Sequence, residues 1–202
     1  GLTRREKLAM VRGKMKEMEA SVFVIPSLDE VAWLLNLRGG DVLYTPVFLS
    51  YLLLTHDQAT LCVQKEAVSA EIEASLRADG VTLAPYDEIY RLIAALPEGT
   101  RVLLDGASAN YRITQSVPAG AETLDRPSPI QLMKAMKTPA EQENERLAHI
   151  KDGVAVTRFL YWLKHTVGRE PITEISAAKK LEALRAEGEH YLEQSFDPIL
   201  AY

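Results

Sequence analysis

The chain has 202 residues, of which 47% are hydrophobic and 25% are charged, a composition typical of a globular protein with a sizeable core. A formal net charge of -5 argues against nucleic acid as the main partner, because phosphate binding requires a basic face. A single cysteine excludes an internal disulfide and favours a reducing compartment, and the longest apolar run, VFLSYLLL, is too short to cross a bilayer.

The first part of the chain predicts two helices separated by a short strand. Four apolar residues recur at helical spacing between positions 3 and 19: Leu8, Val11, Met15 and Met18. SVFVIP then reads as a buried strand that ends at Pro26. SLDEVAWLLN predicts the next helix, and Ser27 with Glu30 three residues later has the pattern of a capping box at its start.

Strands and helices alternate from there to residue 126. PVFLSYLLLT and ATLCVQ, joined by the turn THDQ, predict a hairpin of buried strands, with Cys62 as a buried, inert thiol. The following segments predict three helices and three strands in alternation: AVSAEIEASLRADG, VTLAPY, DEIYRLIAAL, RVLLDG, ASANYRITQSV and AETLDRP. We therefore expect an α/β domain with a mixed sheet flanked by helices over residues 1–126.

The chain changes character at two prolines, Pro127 and Pro129. We expect a linker with a short helix over residues 127–138 and a second, incomplete part over residues 139–202. This part would hold two helices and one strand, with nothing to complete a sheet. Because both ends look trimmed, we expect the chain to be a fragment of a longer protein.

The second part opens with a long predicted helix. Thr138 suits the N-cap, Pro139 the first helical position and Glu141 the third, and the periodic pattern runs to about Val167. The helix carries two apolar stripes, which indicates burial on more than one side and therefore a larger partner. TEISAAKKLEALR predicts the next helix, and EHYLEQSFDPILAY predicts a strand.

Common catalytic signatures are absent from the sequence. It contains no phosphate-binding G-x-x-x-x-G-K, no dinucleotide-binding G-x-G-x-x-G and no G-x-S-x-G elbow. His149 and Asp152 lie three residues apart and share a helix face, which suits either a ligand site or a structural hydrogen bond. One histidine and one aspartate are too few to hold a metal ion.

The segment RGGDVLYTP is the best candidate for contact with a substrate. It lies between an apolar helix and an apolar strand, and loops on rigid scaffolds often carry function. Arg38 could bind a carboxylate or carbonyl through its planar guanidinium, or it could tie down the loop by pairing with Asp41 or with backbone carbonyls. Tyr44 could line a pocket or simply pack at the surface. Arg38, Asp41 and Tyr44 are therefore the predicted substrate-proximal residues.

Several segments together resemble one enzyme family. LDEVAWLLNLRGGD followed by PVFLSYLLL closely resembles the second domain of cytosolic-type Xaa-Pro aminopeptidases, and KAMKTPAEQENERLAHIKDGVAV resembles the opening helix of their pita-bread catalytic domain. The pattern residues of that helix are Lys137, Glu141, Arg146, Ala148, His149 and Asp152. The resemblance implies a creatinase/prolidase N-terminal-type domain followed by the first helices and strand of a truncated pita-bread domain.

The resemblance also implies a function for the complete protein, namely removal of the N-terminal residue from peptides with proline next. Two divalent metals, commonly manganese, would be held by two Asp, one His and two Glu beyond the first strand of the catalytic domain. No catalytic residue or metal ligand is then expected in this chain, which would be inactive alone. Proline-containing peptides and a second copy in a homodimer are the expected partners, in the cytoplasm, with no nucleic acid or membrane.

Two other functions remain open from the sequence. A prolidase acting on dipeptides is a near relative, although LLNLRGGDVLYTPVFLSY fits the three-domain aminopeptidases better. A non-catalytic binding or assembly module is the alternative from another class, because pita-bread relatives without metals serve as binding platforms and fold does not imply function.

Overall fold

The computed structural model describes residues 1–201. By their internal contacts, these residues divide into two units. The first unit comprises Leu2–Val42 and Pro46–Met136, and the second comprises Gly1, Leu43–Thr45 and the residues from Lys137 onward.

The first unit is an α/β structure of six strands, six α-helices and one short 3₁₀ turn, counted within residues 1–201. The strands are β1 (Val22–Ile25), β2 (Ser50–Thr55), β3 (Ala59–Val63), β4 (Val81–Pro85), β5 (Arg101–Leu104) and β6 (Glu122–Asp125). The helices are α1 (Arg4–Glu17), α2 (Leu28–Leu35), α3 (Ala70–Ala78), α4 (Glu88–Ala94), α5 (Tyr111–Ser116) and α6 (Pro129–Ala135), and the 3₁₀ turn is Lys65–Ala67.

The six strands form one mixed sheet in the order β4-β3-β2-β1-β5-β6. β2 runs antiparallel to both of its neighbours, and the other adjacent pairs are parallel. The predicted hairpin is β2–β3, in which Ser50 faces Val63 and Leu54 faces Ala59. The mixed sheet and the hairpin predicted from the sequence are confirmed.

The sheet is covered on both faces, which explains the uninterrupted apolar run in β2. Leu52 and Leu54 pack on one face with residues of α1, α2, α3 and α6. Tyr51 and Leu53 pack on the other face with residues of α4 and α5. Because successive side chains of a strand point to opposite faces, a strand buried on both sides needs apolar residues at every position.

The short predicted helix in the 127–138 segment is α6, and it packs within the first unit. Ile130 and Met133 are buried in the core formed with α1 and α2. By contacts, the division between the units follows Met136. The segment is therefore a structural part of the α/β unit through the end of this helix.

The helix start predicted at Thr138 is formed, and the capping box predicted at Ser27 is not. At the start of α7 (Pro139–Thr166), the Glu141 amide donates to the Thr138 hydroxyl at 3.3 Å, and the Thr138 amide donates to the Glu141 carboxylate at 2.8 Å. At α2, Ser27 is the N-cap but its side chain makes no capping hydrogen bond. The prediction of a capping box there is wrong, because the Glu30 side chain is buried and bonded to Ser128 instead.

The second unit contains α7 and α8 (Glu174–Ala186), which pack against each other. Their shared core is formed by Ala155 and Phe159 of α7 with Ala177 and Leu184 of α8. Of the two predicted apolar stripes of α7, only the one that contains Phe159 contributes to this core. The other stripe, Leu147, Ile150, Val154 and Tyr161, is exposed within the described residues.

The strand predicted over EHYLEQSFDPILAY is not formed in the part of that segment that the structure describes. Residues 189–201 have no regular strand, and Tyr202 lies outside the described residues. A strand needs a hydrogen-bonded neighbour, and the second unit has no other strand among residues 137–201 to pair with it. Leu192, Phe196 and Ile199 of this segment are exposed.

Candidate substrate-proximal loop and its pocket

The RGGD loop begins where α2 ends on a left-handed residue. Asn36 has φ +53° and reverses the chain direction, as a residue after a helix often does. The buried ammonium of Lys7 fixes this turn by donating to the Asn36 side-chain oxygen and to the Trp33 carbonyl, each at 2.7 Å. The loop therefore leaves from a rigid helix end.

Backbone contacts close the loop onto the residues that lead into β2. The Gly39 amide donates to the Pro46 carbonyl at 3.4 Å, and the Asp41 amide donates to the Val47 carbonyl at 3.2 Å. The Asp41 carboxylate accepts from the Leu49 amide at 2.8 Å. Asp41 thus has a structural task, since its carboxylate holds the two arms of the loop together.

A glycine is required at position 39 by the close approach of the opposite arm. A Cβ built at Gly39 would lie 2.6 Å from the Phe48 Cβ, a distance that real Cβ atoms do not tolerate. At Gly40 nothing lies within 4 Å of such a Cβ. The two consecutive glycines therefore have different roles, and only the first is needed for packing.

A pocket of about 170 Å³ lies beside the loop, within the first unit. Arg38, Asp41 and Gln64 contribute polar groups to its lining. Its apolar lining comes from Leu37, Phe48, Leu61, Val63, Val68 and Ile72. A mainly apolar pocket with a few polar groups is the usual form of a small binding site.

Arg38 is exposed, and it makes no hydrogen bond or ion pair with any residue in the described part of the chain. The alternative in which Arg38 ties down the loop or pairs with Asp41 is not observed, because Asp41 bonds the Leu49 amide instead. The planar guanidinium beside the pocket therefore keeps its donors available for a ligand.

Tyr44 belongs to a different unit from Arg38 and Asp41. It belongs to the second unit, has φ +62°, and donates its hydroxyl to Asp197 at 2.7 Å. This hydrogen bond, followed by desolvation, raises the pKa of Tyr44 above its ordinary value. The structure brings Arg38 and Asp41 together at one pocket, and Tyr44 does not line it.

His149 and Asp152 share a face of α7 but do not bond each other. The His149 Nδ1 donates to the Glu145 carbonyl at 2.9 Å, and Asp152 accepts from Arg185 of α8 at 2.6 Å. Of the two alternatives left open by the sequence, the structural hydrogen bonds are the ones observed. Among residues 1–201, no group of three or more His, Cys, Asp or Glu side chains that could hold a metal ion is found.

Sequence reasoning missed a buried acidic group beneath α6. Glu30 is 2% exposed, and its carboxylate accepts from the Ser128 hydroxyl at 2.6 Å. Burial is the main cause that raises the pKa of Glu30. The spacing of Ser27 and Glu30 suggested a capping box, so burial of Glu30 was not predicted. The signal in the sequence for its burial was that Glu30 shares a helix face with the apolar Leu34.

The thiol of Cys62 is buried, as the sequence predicts. Burial raises its pKa to about 12, with a smaller contribution from Glu88. Because the thiolate is the reactive form, a thiol with so high a pKa is inert at neutral pH. Cys62 is a structural core residue of β3 rather than a nucleophile.

Comparison with known proteins identifies the family. Residues 1–141 match the family model of the creatinase/prolidase N-terminal domain. The chain belongs to this family. It is 33% identical over 206 residues to Xaa-Pro aminopeptidase 1 of Dictyostelium discoideum, an alignment that covers 98% of this chain and 32% of that protein. The chain thus spans about a third of the length of the curated relatives it matches.

Solved structures agree with this assignment. X-prolyl aminopeptidase of Caenorhabditis elegans, a cytosolic enzyme with a di-nuclear active site, matches 98% of this creatinase-type chain with a TM-score of 0.88 and 30% identity, over 33% of its own length. The N-terminal domain of the FACT complex subunit SPT16 from chickpea matches 95% of the chain and 52% of its own length, with a TM-score of 0.64 and 16% identity, and this likeness shows the fold alone. The predicted family and α/β fold are confirmed.

Within residues 1–201, none of the helices combines the length and the apolar character that crossing a membrane would require.

Proposed function

We propose that the complete protein is a metal-dependent aminopeptidase that removes the N-terminal residue from peptides with proline at the second position. The observation that carries this proposal is the likeness to the nematode X-prolyl aminopeptidase, at 30% identity and a TM-score of 0.88 over 98% of the chain. Proline-containing peptides would be the substrates, and a cytoplasmic homodimer using two divalent ions, manganese among the candidates, would be the working form.

The metal chemistry belongs to polypeptide outside the described residues. Paired metals would activate a water molecule for attack on the peptide bond. The described residues bring no suitable set of donors together, so this chain's own contribution is to fold, bind and orient. We expect the purified chain to hydrolyse no Xaa-Pro peptide and to retain no stoichiometric manganese after dialysis. One or two tightly held ions per chain would contradict this part of the proposal.

Within the described chain, the RGGD loop is the proposed substrate-proximal element. Arg38 lies beside an apolar pocket with its guanidinium unbonded among the described residues, and Asp41 and Gly39 hold the loop that presents it. A guanidinium binds a carboxylate or a carbonyl oxygen of a peptide through parallel hydrogen bonds. We propose that Arg38 binds such an oxygen and that Asp41 positions the loop. Tyr44 shares the segment and is the third proposed substrate-proximal residue, with its hydroxyl bonded to Asp197.

The test is the kinetics of Arg38→Ala in the full-length enzyme. A hydrogen bond to a charged group is worth about 1.5–3 kcal/mol, so kcat/KM should fall roughly 10- to 100-fold. Peptides with a free terminal carboxylate should lose more than their amides if Arg38 binds that carboxylate. Arg77→Ala is the matched control, because Arg77 is exposed and pairs with Glu73 across one helix turn at 2.8 Å. Unchanged kinetics for Arg38→Ala would remove Arg38 from the site.

A non-catalytic binding or assembly module is not favoured by any specific observation. The likeness to the chickpea FACT subunit domain is at 16% identity and so speaks only for the fold. The sequence of the complete protein decides between the two functions. A complete set of two Asp, one His and two Glu in the catalytic part supports the peptidase, and a missing set supports the module.

A further inference from the structure

The carboxyl ends of β1 and β5 lie side by side at one edge of the sheet of the first unit. These strands are parallel neighbours, but β1 leads to α2 on one face of the sheet and β5 leads to α5 on the other. In open α/β sheets such a switch in direction leaves a crevice, which is where ligands commonly bind. In this protein, the chain segment between β6 and α6 lies at these strand ends. The Arg126 amide donates to the Leu104 carbonyl at 3.3 Å, and α6 begins three residues later.

Ser128 is the residue that fastens this segment. Its hydroxyl donates to the Glu30 carboxylate at 2.6 Å, and its amide donates to the Asp105 carboxylate at 3.0 Å. The same hydroxyl accepts from the Ile130 amide at 3.2 Å and so caps α6. The Gln131 side chain adds a donor to Asp105 at 3.3 Å. One serine thus joins the first turn of α2, the end of β5 and the start of α6.

The three residues joined by these hydrogen bonds are buried: Ser128 is 5% exposed, Glu30 is 2% exposed and Asp105 is 7% exposed. A buried polar group costs free energy unless it is hydrogen-bonded, so these contacts depend on one another. Behind them, the apolar residues Ile130 and Met133 of α6 fill the core against α1 and α2. Opening of α6 therefore breaks the Ser128 hydrogen bonds together with this apolar packing.

The charges around Glu30 make its ionisation unfavourable. Burial raises the pKa of Glu30 most, and the carboxylates of Asp29 and Asp105 raise it further, while the Ser128 hydroxyl and the Lys134 ammonium lower it. Lys134 is committed to an ion pair with Asp29. α1 also packs on α2, but its Lys7 lies at the opposite, carboxyl-terminal end of that helix. No cation pairs directly with Glu30 among the described residues.

We propose that Glu30, Ser128 and Asp105 form a proton-sensitive latch that holds the start of α6 at the carboxyl ends of β1 and β5. With Glu30 protonated, the carboxyl group is neutral and the latch is closed. Loss of that proton to solvent leaves a buried negative charge beside two other carboxylates, and the folded arrangement responds by more frequent opening of α6.

Hydrogen exchange of this chain between pH 5 and pH 8 tests the latch. After correction for the intrinsic exchange rate, protection of the amides of residues 133–136 should fall with rising pH, roughly tenfold for each unit by which the Glu30 pKa is raised. Amides of α4, on the other face of the sheet, are the internal reference and should not follow this profile. If the protection of α6 amides in the unmodified chain does not change with pH, the proposal is overturned and no variant is needed to decide it.

Two variants separate the latch from general stability. Glu30→Gln keeps the shape and the acceptor for Ser128 but cannot ionise, so the pH profile of α6 should become flat. Glu66→Gln is the matched control, because Glu66 is exposed, and it should keep the original profile. Ser128→Ala should lower α6 protection at every pH. A sloping profile in Glu30→Gln, or full α6 protection in Ser128→Ala, would contradict the proposal.

Discussion

The pair Gly39 and Gly40 offers a test of how the RGGD loop is built, with the control supplied by the neighbouring residue. An alanine methyl group at position 39 would lie 2.6 Å from the Phe48 Cβ, 3.1 Å from the Val47 carbonyl oxygen and 3.3 Å from the Phe48 Cα. Two of these atoms belong to the backbone, so relief requires the opposite arm of the loop to move. At position 40 the same methyl group meets nothing within 4 Å.

The magnitudes follow from these contacts. Forcing a methyl group into packed surroundings costs about 1–3 kcal/mol, offset by ~0.4–1 kcal/mol from the lower entropy of the unfolded chain. Gly39→Ala should therefore destabilise the first unit by roughly 1–2 kcal/mol, or lower its Tm by roughly 2–8 °C. Gly40→Ala has no clash and no positive φ, so it should be neutral or stabilising by up to ~1 kcal/mol.

The assay can be confined to the first unit. Cys62 is the only cysteine in the sequence and lies in the core of that unit, so urea-dependent labelling of its thiol reports the unfolding of this unit alone. Under the proposed function, Gly39→Ala should also lower kcat/KM of the complete protein, because the loop that carries Arg38 shifts. Equal stability of the two alanine variants, or a larger loss at position 40, would refute this account of the loop.

Three further predictions concern single groups. Cys62 should not react with a thiol reagent at pH 8 in the native chain and should react fully in urea, because burial raises its pKa to about 12 and blocks access; fast native labelling would contradict its burial. Folding favours the protonated form of Glu30, whose pKa is raised above the ordinary value of 4.5. The stability that this provides is full below the unfolded value and is lost as the pH rises through the folded pKa, so urea stability should fall over that range in the native chain and not in Glu30→Gln. An identical pH slope in both chains would show that Glu30 is not the group responsible. Thr138→Ala removes the side-chain cap of α7 and should destabilise the second unit by about 1 kcal/mol, seen as faster amide exchange in the first turn of that helix. Thr157→Ala, in the middle of the same helix, is the comparison. If both variants exchange equally fast in the first turn of α7, the capping box does not stabilise the helix.

Much of the local structure follows from the sequence because its causes lie within a few residues. The apolar spacing of Leu8, Val11 and Met15 predicts α1, and these three residues are buried on one face of that helix. The run VFLSYLLLT predicts a strand covered on both sides, and β2 is such a strand, although it begins only at Ser50. The Thr138 and Glu141 pattern predicts the start of α7, where both capping bonds form.

The candidate site was predictable in part. Loop position, charge and glycine content pointed to Arg38 and Asp41, and both line the same pocket. The sequence could not decide whether Arg38 pairs with Asp41, because the answer depends on the Leu49 amide reaching the carboxylate across the loop. Nor could it separate Tyr44 from the other two, since residues a few positions apart in a loop have no fixed spatial relation.

Sequence by itself determined which segments become helices and strands in the α/β unit, where α7 begins, and the family to which the chain belongs. Only the tertiary structure decided that β1 lies between β2 and β5 and that residues 189–201 form no regular strand. It also decided that Glu30 bonds Ser128, 98 residues away, instead of capping its own helix. The physical reason is the distance along the chain over which each interaction acts. Side-chain periodicity and capping act over three or four residues along the chain, whereas strand pairing and the burial of a carboxyl group depend on which distant segment supplies the hydrogen bond.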